Sequence, residues 1–155
     1  MSLENYRFDN LEEFIGQTLG VSDWVTIGQE QVNQFADCTG DHQWIHVDLD
    51  KAKASPLGGT IVHGYLVLSL LPMLTANLGI VPDGVTYALN YGADRIRFTS
   101  FVPVGSRLRN HVQLLEVTRK PNGGALLKTQ NTMEIEGQEK PAMVAETLTM
   151  IFPAS

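Results

Sequence analysis

At 155 residues the chain is long enough to bury a core of its own, and it reads as one domain, residues 1–155. With 43% hydrophobic and 18% charged residues it belongs with ordinary globular proteins, not disordered ones. A net charge of −6 without any Lys/Arg run argues against nucleic acid as the main partner. Local basic residues (Arg95, Arg97, Arg107, Arg109 and Arg119) still leave scope for a phosphorylated ligand. Cys38 is the single cysteine, so no internal disulfide can form and a reducing compartment fits. The opening MSLENYRFDN lacks the basic start and apolar stretch of a secretory signal. The longest apolar run, Ile61 to Leu78, is interrupted by His63, Ser69, Pro72, Thr75 and Asn77, too often for a membrane span. A cytoplasmic protein with no membrane partner is expected.

Taken in order, Asn10 to Phe14 reads as a short helix capped by Asn10, and Val21 to Ile27 as a strand ending at Gly28. From Gln29 to Cys38 the apolar positions Val32, Phe35 and Ala36 follow amphipathic-helix spacing, and Cys38 reads as helix packing. Gly40 can take the left-handed conformation that ends a helix, which places Asp41 in the bend just after it. Asp48 caps a second short helix reaching Ala54, and Ser55 to Gly59 is loop chemistry. From Gly64 to Asn77 the chain is apolar on nearly every side, the mark of a buried helix, with Pro72 expected to kink it.

Everything beyond is strand. Val85 to Phe98 is a long run with an irregularity expected at Gly92. Arg107 to Val117 alternates, with His111 on one face, and Pro121-Asn-Gly-Gly marks a hairpin turn. Ala125 to Glu136 and Ala142 to Phe152 complete an antiparallel set. One buried helix followed by long antiparallel strands is an α+β layout.

The chemistry concentrates between Phe35 and Gly64. Asp41 and His46 stand five residues apart, two titratable groups of different type suited to acid–base work on one small volume. His63-Gly64 opens the apolar run, where free N–H groups at a helix start can hold developing negative charge. Taken alone, Asp41 could be a turn residue and His46 a loop histidine. His63 is as readily a residue that orients the helix start as a catalytic one. Ser69 could bond a ligand or a backbone carbonyl. His42 reads as surface. No Cys/His/Asp group has metal-ligand spacing, so no metal and no redox cofactor is expected. Arg95 and Arg97 share a strand face, read either as structural ion pairing or as a contact to a phosphorylated ligand.

The ordered signature FADCTGDHQWIHVD followed by GGTIVHG resembles the MaoC-like, R-specific enoyl-CoA hydratases. GDHQWIH together with NYGADRIRF is most similar to the nodulation-protein-N-like branch, and the similarity runs from about Trp24 to the C-terminus. The resemblance implies a hot-dog fold, an antiparallel sheet wrapped around a long central helix, usually as a homodimer. It implies Asp41 and His46 as the catalytic pair, with Gln43 beside them. It implies substrate binding through His63, Gly64 and Ser69, and for a coenzyme A substrate the strand-face pair Arg95 and Arg97 is the candidate contact to its phosphates. The expected substrate is an acyl-CoA thioester, coenzyme A entering as part of the substrate. Many hydratases read Asp-x-Asn-Pro-x-His, whereas Gln43 and Trp44 stand here in the Asn and Pro places. The implied reaction is hydration of a trans-2-enoyl thioester to the (3R)-3-hydroxyacyl thioester. Thioester hydrolysis on the same fold and a non-catalytic acyl-thioester binding role are the alternatives.

Overall fold

The structure is a computed structural model and describes residues 3–154. Strands β1 (Thr18–Val21), β2 (Val25–Thr26), β3 (Val85–Phe98), β4 (Arg107–Arg119), β5 (Ala125–Ile135) and β6 (Met143–Pro153) form one six-stranded sheet. Its order is β1-β4-β5-β6-β3, with β2 also on β4, and every pairing between these strands is antiparallel. The β4–β5 hairpin turns where the Pro-Asn-Gly-Gly signal predicts, with Gly123 at a φ of 82° that suits glycine. Register slips in β3 between Asn90 and Gly92, the irregularity expected at Gly92.

The inner face of the sheet shows period-two burial, clearest along β5, where every second residue from Ala125 to Ile135 is buried. Against it packs the run that opens at Gly64. This run is two short helices, α4 (Gly64–Ser69) and α5 (Leu71–Thr75), joined through Leu70. Pro72 lies in the first turn of α5, where its missing N–H costs nothing. Segments this short are not stable helices alone, so tertiary packing holds them. Leu66, Leu70, Leu71 and Leu74 are all buried, each contributing about 1.5–3 kcal/mol on removal from water. They join Leu108, Met133, Ile135 and Met143 in the main core cluster.

The helix is buried on one face only. Tyr65, Ser69, Pro72 and Met73 face outward, so apolar composition all round did not mean burial all round within the single chain. The exposed apolar side chains continue along β3, the strand at one edge of the sheet, with Tyr87, Leu89, Tyr91 and Phe98.

Other local expectations shift. The Asn10 region is a 3-10 helix spanning Phe8–Phe14, with Asn10 inside it as a non-helical residue. Its side chain reaches back to the Arg7 N–H at 3.0 Å, so the cap acts three residues earlier than expected. The strand expected over Val21–Ile27 is split into β1 and β2, because Ser22 turns its side chain to accept the Asn110 N–H at 2.9 Å. Cys38 is exposed and does not pack in the core. At 100° per residue it sits about 120° around the helix from Val32, away from the face that Val32 and Ala36 bury.

Candidate active site

Helix α1 (Gln29–Thr39) ends at Gly40, whose φ of 80° is left-handed and whose N–H caps the Ala36 carbonyl at 2.8 Å. That turn aims Asp41 back across the helix end. Its carboxylate accepts hydrogen bonds from the Gln43 side-chain amide at 3.2 Å and the Gln43 backbone N–H at 3.4 Å. Gln43 therefore holds the carboxylate itself. A short helix absent from the sequence reading, α2 (Trp44–Val47), carries His46, while the helix expected after Asp48 forms as α3 (Leu49–Lys53).

His46 is 6% exposed. Its Nδ1 lies 2.7 Å from the Ile61 carbonyl oxygen, an acceptor only, so Nδ1 carries the proton and Nε2 presents a lone pair. The α2 backbone is tied to the same segment, since the Ile61 N–H donates to the Ile45 carbonyl at 2.9 Å. Gln29 adds a second tie, its amide donating to the His46 carbonyl at 2.7 Å while its oxygen accepts from the Thr60 hydroxyl. No local signal marks Gln29, because its partners lie 17 and 31 residues away.

His63 is 2% exposed and closes the arrangement from beneath. Its Nε2 donates to the Asp41 backbone carbonyl at 2.9 Å, and its ring stacks on His46 with centroids 3.8 Å apart. Phe35 from α1 packs on its other side at 5.0 Å. Its Nδ1 is buried with no partner among the described residues. The orienting contact is thus observed, whereas burial keeps the ring from an open surface.

Electrostatics set the two proton-exchanging groups apart. Burial pushes the Asp41 carboxyl up, but the two Gln43 hydrogen bonds and the neighbouring imidazoles outweigh it, leaving it below its ordinary value. Burial is the largest influence on His46 and lowers it; the bond to Ile61 opposes this and the adjacent His63 adds to it. The pair at neutral pH is therefore a carboxylate beside a neutral imidazole with a free Nε2. Ligand atoms of Asp41, His46 and His63 all lie within 4.8 Å of one another, a grouping that linear spacing did not suggest. One nitrogen of each ring is already engaged by a carbonyl.

Gly64 follows as the first residue of α4, where the helix leaves its N–H unused. A Cβ here would come 3.1 Å from the Phe98 ring, so any larger residue would have to push that ring aside by a few tenths of an ångström. Ser69 donates to the Tyr65 carbonyl at 2.7 Å, the backbone reading of that residue, and also lines a cavity of about 830 Å³. Asp41, His46, His63 and Gly64 do not line that cavity; it opens further along the same helical run.

The arginines separate. Arg95 pairs with Glu146 at 3.5 Å, Arg107 with Glu136 at 2.7 Å, Arg109 with Glu134 at 2.6 Å and Arg119 with Glu12 at 2.7 Å. Arg97 bonds only the Ile96 carbonyl and has no carboxylate partner among the described residues. A bulge between Asp94 and Arg97, with Arg95 at a φ of 49°, breaks the alternation on which a shared face for Arg95 and Arg97 rested. His42 is exposed, 3.7 Å from Asp37, and His111 sits 2.6 Å from Glu134 on its strand face.

Residues 10–135 match the model of the MaoC like domain, most of the chain. The chain belongs to the MaoC-like dehydratase family. It is 51% identical over 133 residues to 3-hydroxyacyl-thioester dehydratase Z of Mycobacterium tuberculosis, covering 86% of this chain and 87% of that one. Nodulation protein N of Rhizobium leguminosarum is 45% identical over 142 residues, covering 88% and 86%. Among solved structures, a MaoC-like dehydratase from Rhodospirillum rubrum superposes with a TM-score of 0.76 at 18% identity, covering 94% and 97% of the two chains. An R-hydratase from Pseudomonas aeruginosa does so at 0.67 and 22%, covering 90% and 83%. The MaoC-like protein thus has the hot-dog fold, and the relatives named as dehydratases and R-hydratase are hydro-lyases. No helix in the described residues is long and apolar enough to cross a membrane.

Proposed function

We propose that this MaoC-like protein catalyses reversible hydration of trans-2-enoyl thioesters to (3R)-3-hydroxyacyl thioesters, with coenzyme A as the carrier. The observation that carries this reading is the state of His46. With Nδ1–H held by Ile61, the free Nε2 beside the Asp41 carboxylate is a ready proton acceptor. Water sits between the two groups, and its oxygen bonds to C3 as His46 Nε2 takes one proton. The same proton then passes to C2, so one water is added and the imidazole is regenerated. Asp41 accepts the second water hydrogen and steadies the transient imidazolium. Gln43 keeps that carboxylate ionised and aimed. As C2 becomes carbanion-like, negative charge moves onto the thioester oxygen and the Gly64 N–H stabilises it; one such donor is typically worth about 10²–10³ in rate.

The thioester enters along the face where α4 and β3 expose Tyr65, Phe98 and Tyr91. This face also supports a homodimer, since β3 is a long edge strand with unpaired backbone groups and apolar side chains on view. The names of relatives, a 3-hydroxyacyl-thioester dehydratase and an R-hydratase, support the reaction and its R stereochemistry. Loss of enoyl absorbance with crotonyl-coenzyme A, followed together with free thiol, tests the reading. Hydration without thiol release is expected. Thiol release at the same rate as enoyl loss would replace it with thioester hydrolysis.

A further inference from the structure

The inner face of the sheet is apolar at both ends but polar across its middle. One core cluster holds Leu108, Met133 and Met143; the other holds Val112, Leu127 and Ile151. Between them a stripe of Asn110, Asn131, Thr129 and Thr147 crosses β4, β5 and β6. Such groups weaken a core unless something uses them, because apolar residues would fill the same positions without polar atoms to satisfy.

The stripe is a directed chain of hydrogen bonds. The Asn110 amide donates to the Asn131 oxygen at 2.9 Å. The Asn131 amide donates onward to the Thr147 hydroxyl at 2.9 Å and to that of Thr129 at 3.3 Å. The two hydroxyls are 2.9 Å apart and share one proton. Two hydroxyls carry two hydrogens, so one remains without an acceptor among the described residues. Thr129, Asn131 and Thr147 line the cavity of about 830 Å³ whose opposite wall includes Leu68, Ser69 and Pro72 of the helical run. On that wall the Ser69 and Thr75 hydroxyls are already committed to helix carbonyls. The donor of the Thr129–Thr147 pair therefore lies on the sheet side, where Asn90, Tyr91 and Thr149 also line the cavity. No charged residue lines the cavity, which suits a neutral oxygen and not a carboxylate.

We infer that the Asn131–Thr129–Thr147 stripe is a subsite for a neutral oxygen, a hydroxyl or ketone, carried on the acyl chain of the thioester. The inference rests on the proposed hydratase reading for the position of the chain. From Gly64 to Ser69 the helix advances about 7–8 Å, the span an acyl chain crosses to pass from the thioester site to the cavity.

The test uses trans-2-enoyl-coenzyme A substrates of equal length, one plain and others bearing a hydroxyl or ketone at successive carbons beyond C4. Wild-type protein should favour one oxygenated substrate in kcat/KM by roughly 2- to 10-fold, the range one added hydrogen bond supports. Thr147→Val should abolish that preference, and Thr147→Ser should keep it. Equal preference ratios in wild type and Thr147→Val would overturn the subsite while leaving the hydratase reading intact. If no substrate is hydrated, equilibrium binding of the matched saturated acyl-coenzyme A compounds takes over. A Thr147-dependent preference there sustains the subsite although the hydratase reading fails; its absence overturns the subsite too.

Discussion

The imidazole of His63 lies against that of His46, centroids 3.8 Å apart and planes 24° apart, while its Nε2 holds the Asp41 backbone carbonyl at 2.9 Å. One buried side chain thus touches both members of the proposed catalytic pair. His63→Phe preserves a ring to stack but loses the donor to Asp41 and the polar neighbour that helps keep His46 neutral. The variant is expected to lower kcat and to move the acid limb of the kcat/KM profile upward in pH. A lowered kcat with an unmoved acid limb would leave His63 a purely structural residue.

The pair itself is tested by substitutions that preserve size. Asp41→Asn and His46→Gln should each reduce hydration about 10²–10⁴-fold, the usual contribution of a positioned acid or base. Circular dichroism should show both folded. Near-wild-type turnover in both would remove the proposed mechanism.

The lowered His46 value carries a sign for stability. Above its ordinary value, about 6.5, folded and unfolded chains both hold it neutral. As pH falls below that, the unfolded chain binds the proton first, so this group makes the protein less stable toward acid. His46→Gln should flatten the fall in Tm as pH drops below about 6.5. An equally steep fall in the variant would assign that loss to other groups.

Gln43 bonds the Asp41 carboxylate through both backbone and side chain. Gln43→Ala removes only the side-chain bond. It should lower kcat more than it raises KM, the mark of a contact made mainly in the transition state. Unchanged kcat would make Gln43 a bystander.

Coenzyme A phosphates need a cation, and among the described residues Arg97 has no carboxylate partner while Arg95 is paired with Glu146. Arg97→Ala should raise KM for a coenzyme A substrate more than for a truncated thioester without phosphates, and more than Arg95→Ala does. The homodimer proposed through β3 should appear as twice 17.1 kDa in light scattering at micromolar concentration. A monomeric mass there would discard it.

Local backbone chemistry made much of this site legible before any coordinates. Gly40 alone dictates the left-handed turn that positions Asp41, and Asp48 caps its helix through the Lys51 N–H at 2.9 Å as its sequence position implies. The hairpin at Pro121 to Gly124 and the strand alternation around it follow from turn chemistry and period two. What distant segments do to one another was not legible. Whether the apolar helix is covered on one face or all round depends on how far the sheet reaches, and Tyr65 at 70% exposure shows where it stops. The fixed tautomer of His46 needs a carbonyl 15 residues away, and the polar stripe joins Asn110, Asn131 and Thr147 from three strands. Hydrogen-bond partners across a sheet are set by register, and register belongs to the assembled core, not to any one strand.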